Sequence, residues 1–157
     1  MKPADLVATA RRILRHSGSK RPRQTDLKRA MSTAYYAVFH QLCWNTADTF
    51  IGTKSAQRST PAWRQAYRSV DHGFAKTQCR NSSVMEQFPQ AIQDFANAFV
   101  ELQIARHDAD YDPLHRLARS EVFSEIDKAE RVIQQFPSVP ISDRRAFAAW
   151  VTLKHRP

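Results

Sequence analysis

This chain predicts an all-α protein, on three observations. It holds only three glycines in 157 residues, its apolar residues recur at three- and four-residue spacing, and it has no alternating β-branched run. The architecture expected is an antiparallel, up-and-down bundle of four to five helices over residues 1–136. Residues 137–157 read as a linker and an extra helix, packed on the bundle or at a dimer contact. The length suits one domain with a real core. No apolar stretch approaches the roughly 20 residues that span a bilayer. Met1-Lys-Pro-Ala-Asp is not followed by the apolar stretch of a signal peptide. A cytoplasmic protein with no membrane association is therefore expected.

The first helix is read from about Pro3 to His16, burying Leu6, Ala10, Ile13 and Leu14 and leaving Arg11, Arg12 and Arg15 outside. Gly18 ends it, and Pro22 prevents its continuation. Thr25 or Asp26 caps the second helix, which runs to about Phe50. Within it, Leu27, Met31, Ala34, Val38 and Leu42 form one apolar seam, widened by Tyr35, Phe39 and Cys43. A third row, Arg29, Thr33, Tyr36 and His40, keeps helical spacing but is polar. A helix apolar around most of its circumference belongs at the centre of a bundle, and its polar row then faces solvent or lines a site.

The third helix starts near Ser59-Thr60 with Pro61 in its first turn, where a missing N–H costs nothing. It continues through Trp63, Ala66, Tyr67, Val70 and Phe74, with Gly73 a weak point, and Cys79-Arg-Asn-Ser-Ser reads as a loop. The fourth begins after Phe88-Pro89 and stops at Tyr111, because Asp112 precedes a proline and is driven out of the helical region. The fifth covers about Leu117 to Phe136, with Val122, Ile126, Ala129, Ile133 and Phe136 on one face. Pro137 and Pro140 bracket a linker, and Ser142-Asp143 caps a last helix carrying Phe147, Trp150, Val151 and Leu153.

The net charge of +9 is unevenly spread. Residues 1–30 hold nine Lys/Arg against two Asp, and residues 54–80 hold six against one. Residues 81–136 hold five against ten acidic groups. A basic half attracts polyanions, or an acidic partner, through Coulomb steering and counterion release. Two isolated cysteines, Cys43 and Cys79, support neither a disulfide framework nor a zinc site and are read as reduced. Asp108-Ala-Asp110-Tyr-Asp112 opens like a calcium loop, but Pro113 and Arg119 stand where that loop needs Gly and Glu. The histidines and aspartates fall short of a His-Asp phosphohydrolase set, and no phosphate loop or nucleophile motif is present. No metal and no cofactor are expected.

The fourth helix carries the sharpest anomaly. Ile92, Phe95, Phe99, Leu102, Arg106 and Ala109 fall at alternating steps of three and four, so Arg106 stands on the inward seam where the pattern asks for leucine. A buried guanidinium must be paired or must face a cavity. Asp110, one turn later, is its natural local partner. The pair is either a structural clip or a guanidinium held ready for a phosphate, the group its fork matches best.

Three stretches then stand in order over roughly residues 25–135. They are Arg29-Ala-Met-Ser-Thr-Ala-Tyr35-Tyr36-Ala-Val-Phe39-His40, Asp71-His72-Gly-Phe74, and Leu102-x3-Arg106-x2-Ala109-Asp110-Tyr111. Together they resemble the small stand-alone prokaryotic branch of the HEPN superfamily (higher eukaryotes and prokaryotes nucleotide-binding). The resemblance implies a HEPN-like helical bundle, homodimers, and RNA or nucleotides as ligands. Many such proteins are metal-independent endoribonucleases, acting as toxins beside a nucleotidyltransferase-type antitoxin or in phage defence. Active members carry Arg-x(4–6)-His at this helix end, where the His activates the ribose 2′-OH and the Arg stabilises the transition state.

Here the motif departs, because after four intervening residues Arg106 is followed by Tyr111, then Asp112 and Pro113. Whether the chain is an enzyme is thereby left open. The candidate catalytic residues are Arg106, Tyr111 and His40, with His72 or His107 as further stand-ins for the missing histidine. The candidate binding residues are Arg29, Tyr36, His72 and Asp110, with Arg11, Arg12 and Arg15 to hold a backbone. The first expectation is a module that binds RNA, a nucleotide or a nucleotidyltransferase-type partner without catalysis. A metal-independent endoribonuclease toxin is the second, and a structural or interaction bundle with no nucleic-acid ligand is the third.

Overall fold

In the computed structural model, which describes residues 1–17 and 20–157, one long helix, Gln24–Ile51, packs against five others. In chain order the described residues form α1 (Pro3–His16), α2 (Gln24–Ile51), α3 (Thr60–Arg68), α4 (His72–Cys79), α5 (Ser82–Met85), α6 (Gln90–Tyr111), α7 (Arg119–Gln135) and α8 (Ile141–Thr152). No strand occurs among them, so the bundle is all-α, as the glycine-poor, helically periodic sequence predicts. The stop at Gly18 lies outside the described residues.

The apolar seam of α2 is the centre of the core. Leu27, Met31, Ala34, Val38 and Leu42 are at most 1% exposed, and Tyr35 is fully buried. Around them pack α1, α3, α6, α7 and α8. Each large side chain buried in this way stabilises the fold by about 1.5–3 kcal/mol. The polar row Arg29, Thr33, Tyr36 and His40 stays partly or fully exposed, so α2 has one face to offer.

Several element ends differ from the sequence reading, each for a tertiary or capping reason. Neither Thr25 nor Asp26 caps α2. Its N-cap is Arg23 with no side-chain bond, and the helix start is instead pinned by Gln24, whose amide exchanges two hydrogen bonds with the backbone of Leu117 at 3.0 and 2.9 Å. At the other end Gly52 takes a φ of 125°, a conformation suited to a residue without Cβ.

The single third helix is two. Ser69 Oγ donates to the Ala66 carbonyl at the end of α3, and the Asp71 carboxylate accepts from the Phe74 N–H to open α4. An aspartate satisfying a free N–H makes a new helix start competitive with continuing the old one. The segment read as a loop after Cys79 contains the short helix α5, capped by Asn81.

The last helix starts at Ile141, after Pro140, so Ser142 and Asp143 lie inside it rather than capping it. Leu153 falls beyond its end and is 57% exposed. The remainder of α8 completes the core. Phe147 and Val151 are fully buried, with Phe147 against the rings of Phe88, Phe95 and Phe136. A reciprocal pair ties α8 to α4: Gln78 Nε2 donates to the Trp150 carbonyl at 3.0 Å, and Trp150 Nε1 donates to the Gln78 carbonyl at 2.9 Å. The helix α8 thus packs against α2 and α4. No described helix is long and apolar enough to cross a membrane.

Candidate functional site

Arg106 is positioned by the register of α6, which buries Phe99, Leu102 and Ala109 on the same stripe and carries the arginine in with them. Its side chain is 14% exposed. The guanidinium carbon lies 5.1 Å from the ring centre of Tyr35 and 5.8 Å from that of Tyr36, both presented by α2. The expected partner is present but loose: Asp110 Oδ2 stands 3.5 Å from Nη1. Ser32 Oγ donates to the same carboxylate oxygen at 3.4 Å. Arg106 Nε is buried and has no hydrogen-bond partner. A buried donor left unmatched costs about 1–3 kcal/mol, which marks this guanidinium as incompletely satisfied.

His72, the first residue of α4, joins the same cluster. Its ring stacks on Phe39 with centres 3.7 Å apart, and Nδ1 lies 2.5 Å from Tyr35 Oη. Burial raises the Tyr35 phenol well above its usual range, with the Arg106 charge only partly opposing, so the hydroxyl keeps its proton and is able to donate to Nδ1. Burial first, and then the Arg106 charge, lower the His72 pKa and favour the neutral ring, against the opposite pull of Asp71. A neutral imidazole that accepts at Nδ1 carries its proton on Nε2. The His72 carbonyl accepts from Gln103 Nε2 at 3.2 Å, while Gln103 Oε1 is buried without a partner. An orphan acceptor and an orphan donor thus sit one turn apart on α6.

His40 repeats the arrangement. Its Nδ1 is hydrogen-bonded to the Tyr67 hydroxyl, whose pKa burial raises, and its own pKa is lowered by burial, the N-terminal ammonium and His72. Where the Tyr67 hydroxyl donates to that Nδ1, Nε2 likewise carries the proton. Tyr36 bridges the two imidazoles, its ring centre 6.3 Å from His40 and 6.2 Å from His72.

The remaining candidates lie around this cluster rather than in it. Tyr111 is 67% exposed and packs on His107. With Thr25, Lys28, Arg29 and Asp110 it lines an open groove of about 460 Å³, so Asp110 belongs to both places. Arg12 and Arg15 are exposed on α1. Arg11, placed with Arg12 and Arg15 to hold a backbone, has its guanidinium ion-paired with Asp127, at 2.6 Å, and with Glu130, both on α7.

Chemically the cluster is rich in donors and poor in bases. It offers a guanidinium and two imidazole N–H groups, with one carboxylate, Asp110, already engaged. The thiols are not part of it: Cys43 and Cys79 are buried, which pushes each up to about 12. Among the described residues no group of three or more His, Cys, Asp or Glu side chains is placed to hold a metal ion. Such a set suits an oxyanion.

Sequence reasoning missed Ser32, Gln103 and Tyr67. A trace of Gln103 was present, since it stands one turn before Arg106 as a polar residue beside an apolar seam. Tyr67 falls four residues after Trp63, on the row that meets α2. Compared with known proteins, the chain matches no family model, no curated protein and no solved structure.

Proposed function

We propose that this chain is a HEPN-type module that binds RNA or a nucleotide by taking a phosphate onto Arg106, without catalysis of its own. The observation that carries the proposal is the Arg106 guanidinium: 14% exposed, over two tyrosine rings, 3.5 Å from its one carboxylate, with Nε unmatched. A phosphate oxygen is the acceptor that a fork of this kind lacks. The Nε2–H of His72 adds a neutral donor, and the chain's charge of +9 favours the encounter. A cytoplasmic location, a homodimer and a nucleotidyltransferase-type partner belong to the same reading.

The test is binding of a labelled single-stranded RNA and of the dinucleotide UpU in EDTA. Hydrogen bonds to charged groups contribute about 1.5–3 kcal/mol, so Arg106→Ala should weaken both ligands by about ten- to a hundredfold. Arg106→Lys should not restore them, because an ammonium lacks the planar fork. Unchanged binding together with a lower melting temperature would reduce Arg106–Asp110 to a structural clip.

One observation favours a second reading, a metal-independent endoribonuclease toxin. His72, remote in sequence, lies close enough to Arg106 for the two to interact electrostatically, which supplies an imidazole where the helix end has Tyr111. With Nδ1 occupied by Tyr35, that neutral imidazole would serve as a hydrogen-bond donor to the scissile phosphate rather than as a base. RNA cut in EDTA by the wild type and left intact by Arg106→Ala would establish this reading. RNA intact after long incubation at low salt excludes it.

A further inference from the structure

We infer that single-stranded RNA continues from the Arg106 pocket along the seam between α2 and α3, its bases against the row Tyr36, His40, Tyr67 and Trp63 and its phosphates on Arg64 and Arg68. The inference rests on the RNA reading above and extends it from a pocket to a track.

The row is continuous. Ring centres step 6.3 Å from Tyr36 to His40, 5.8 Å from His40 to Tyr67, and 5.2 Å from Tyr67 to Trp63. Trp44 stands edge-on to both Trp63 and Tyr67, at 4.8 and 6.2 Å. A guanidinium closes each end, Arg106 at 5.8 Å from Tyr36 and Arg58 at 4.3 Å from Trp63. None of the four rings is fully buried, and α3 buries no residue at all. A helix that brings two large aromatic residues to a seam without sealing them leaves stacking surface accessible.

Charge lies on the next row of α3, about 100° round the helix from the rings. Arg64 and Arg68 follow Trp63 and Tyr67 by one position each, so they form the neighbouring row of α3, one turn apart. Both are exposed, and with Thr60, Pro61, Gln65 and Ser69 they line an open recess of about 650 Å³. Residues 54–80 hold six basic groups against a single acid, Asp71, whose carboxylate is used as the cap of α4. Cations flanking part-exposed rings are what a flexible strand uses, because every base has a face to stack and every residue a phosphate to neutralise. An acidic protein segment would use the arginines and leave the rings idle.

The test uses an oligouridylate of about twelve nucleotides, long enough to leave the pocket, beside UpU, which fills only the pocket. Arg64→Gln/Arg68→Gln should weaken the long oligomer about tenfold or more and leave UpU unchanged. Two lost phosphate contacts should lower the log–log salt slope by about 1.4. In the wild type the oligomer should quench tryptophan emission, since Trp44 and Trp63 stand on or beside the row. If Arg106→Ala abolishes binding of both ligands while the double variant binds the oligomer as wild type, the track is overturned and the pocket stands. If no RNA of either length binds, both fall. If an oligoglutamate peptide binds with the same dependence on Arg64 and Arg68 and no quenching, the occupant is an acidic protein and the inference is overturned.

Discussion

Arg58 and Arg106 occupy settings that differ in one respect. Each side chain is 14% exposed, each guanidinium lies over an aromatic ring, and each faces one aspartate. Around Arg58 one nitrogen, Nη1, meets Asp48 Oδ1 at 3.1 Å and the carbonyls of Gly52 and Thr53 at 3.0 and 3.2 Å, and no buried nitrogen of that guanidinium is left unmatched. Asp48 is shared with Trp63 Nε1, which donates to it at 2.8 Å. Around Arg106 the carboxylate stands back and Nε has no acceptor. Burial and charge are matched between the two, so what separates them is the stand-off of Asp110 and the unmatched Nε of Arg106.

Removing each arginine in turn is the most direct way to break that comparison. Arg58→Ala strips Asp48 of its counter-charge and should destabilise the fold by about 3 kcal/mol. For a chain of this length that lowers Tm by about 6–12 °C, without touching UpU binding. Arg106→Ala should change stability by less than about 1 kcal/mol, because the pair it breaks is loose and its partner has Ser32. Equal losses of Tm for the two variants would refute the distinction.

A smaller effect comes from Tyr35→Phe, which deletes the donor to His72. The lost hydrogen bond contributes about 1 kcal/mol. The neutral ring loses the bond that favours it, so the His72 pKa should rise toward its ordinary value, as read from an NMR titration.

Acid sharpens the same point more gently. His40 and His72 are both held below the ordinary 6.5, chiefly by burial. Once the pH drops under about 6.5, the unfolded chain takes up protons that the folded chain refuses, so stability falls with pH through that window and is level above it. Urea midpoints should show this decline, and His40→Gln/His72→Gln should flatten it. The least effect is expected at the thiols. Buried and raised to about 12, Cys43 and Cys79 should resist a thiol reagent at about pH 8 until urea exposes them.

What the sequence disclosed follows from what is local. The α2 seam, the limits of α6 and the misplaced Arg106 are all consequences of helical register, which periodicity reports directly. Register also predicted Asp110 as the nearest partner, though not that the contact would stay at 3.5 Å. The break between α3 and α4 was written in Ser69 and Asp71, two residues able to end and start helices, but the apolar spacing of Trp63, Tyr67, Val70 and Phe74 outweighed them. The pairing of Arg11 with Asp127 and Glu130 spans more than a hundred positions, and the Gln24–Leu117 bonds that pin the start of α2 span 93. Spacing carries no trace of them. The imidazole–phenol pairs belong to the same class, since each joins α2 to a residue on another helix.

The reciprocal bonds between Gln78 and Trp150 make the C-terminal helix a strut for the last turn of α4. The first residue of that short helix is His72. Trimming the chain ahead of α8 would therefore loosen an imidazole on the far side of the short helix it braces. A fusion or affinity handle attached after Leu153 leaves that strut in place.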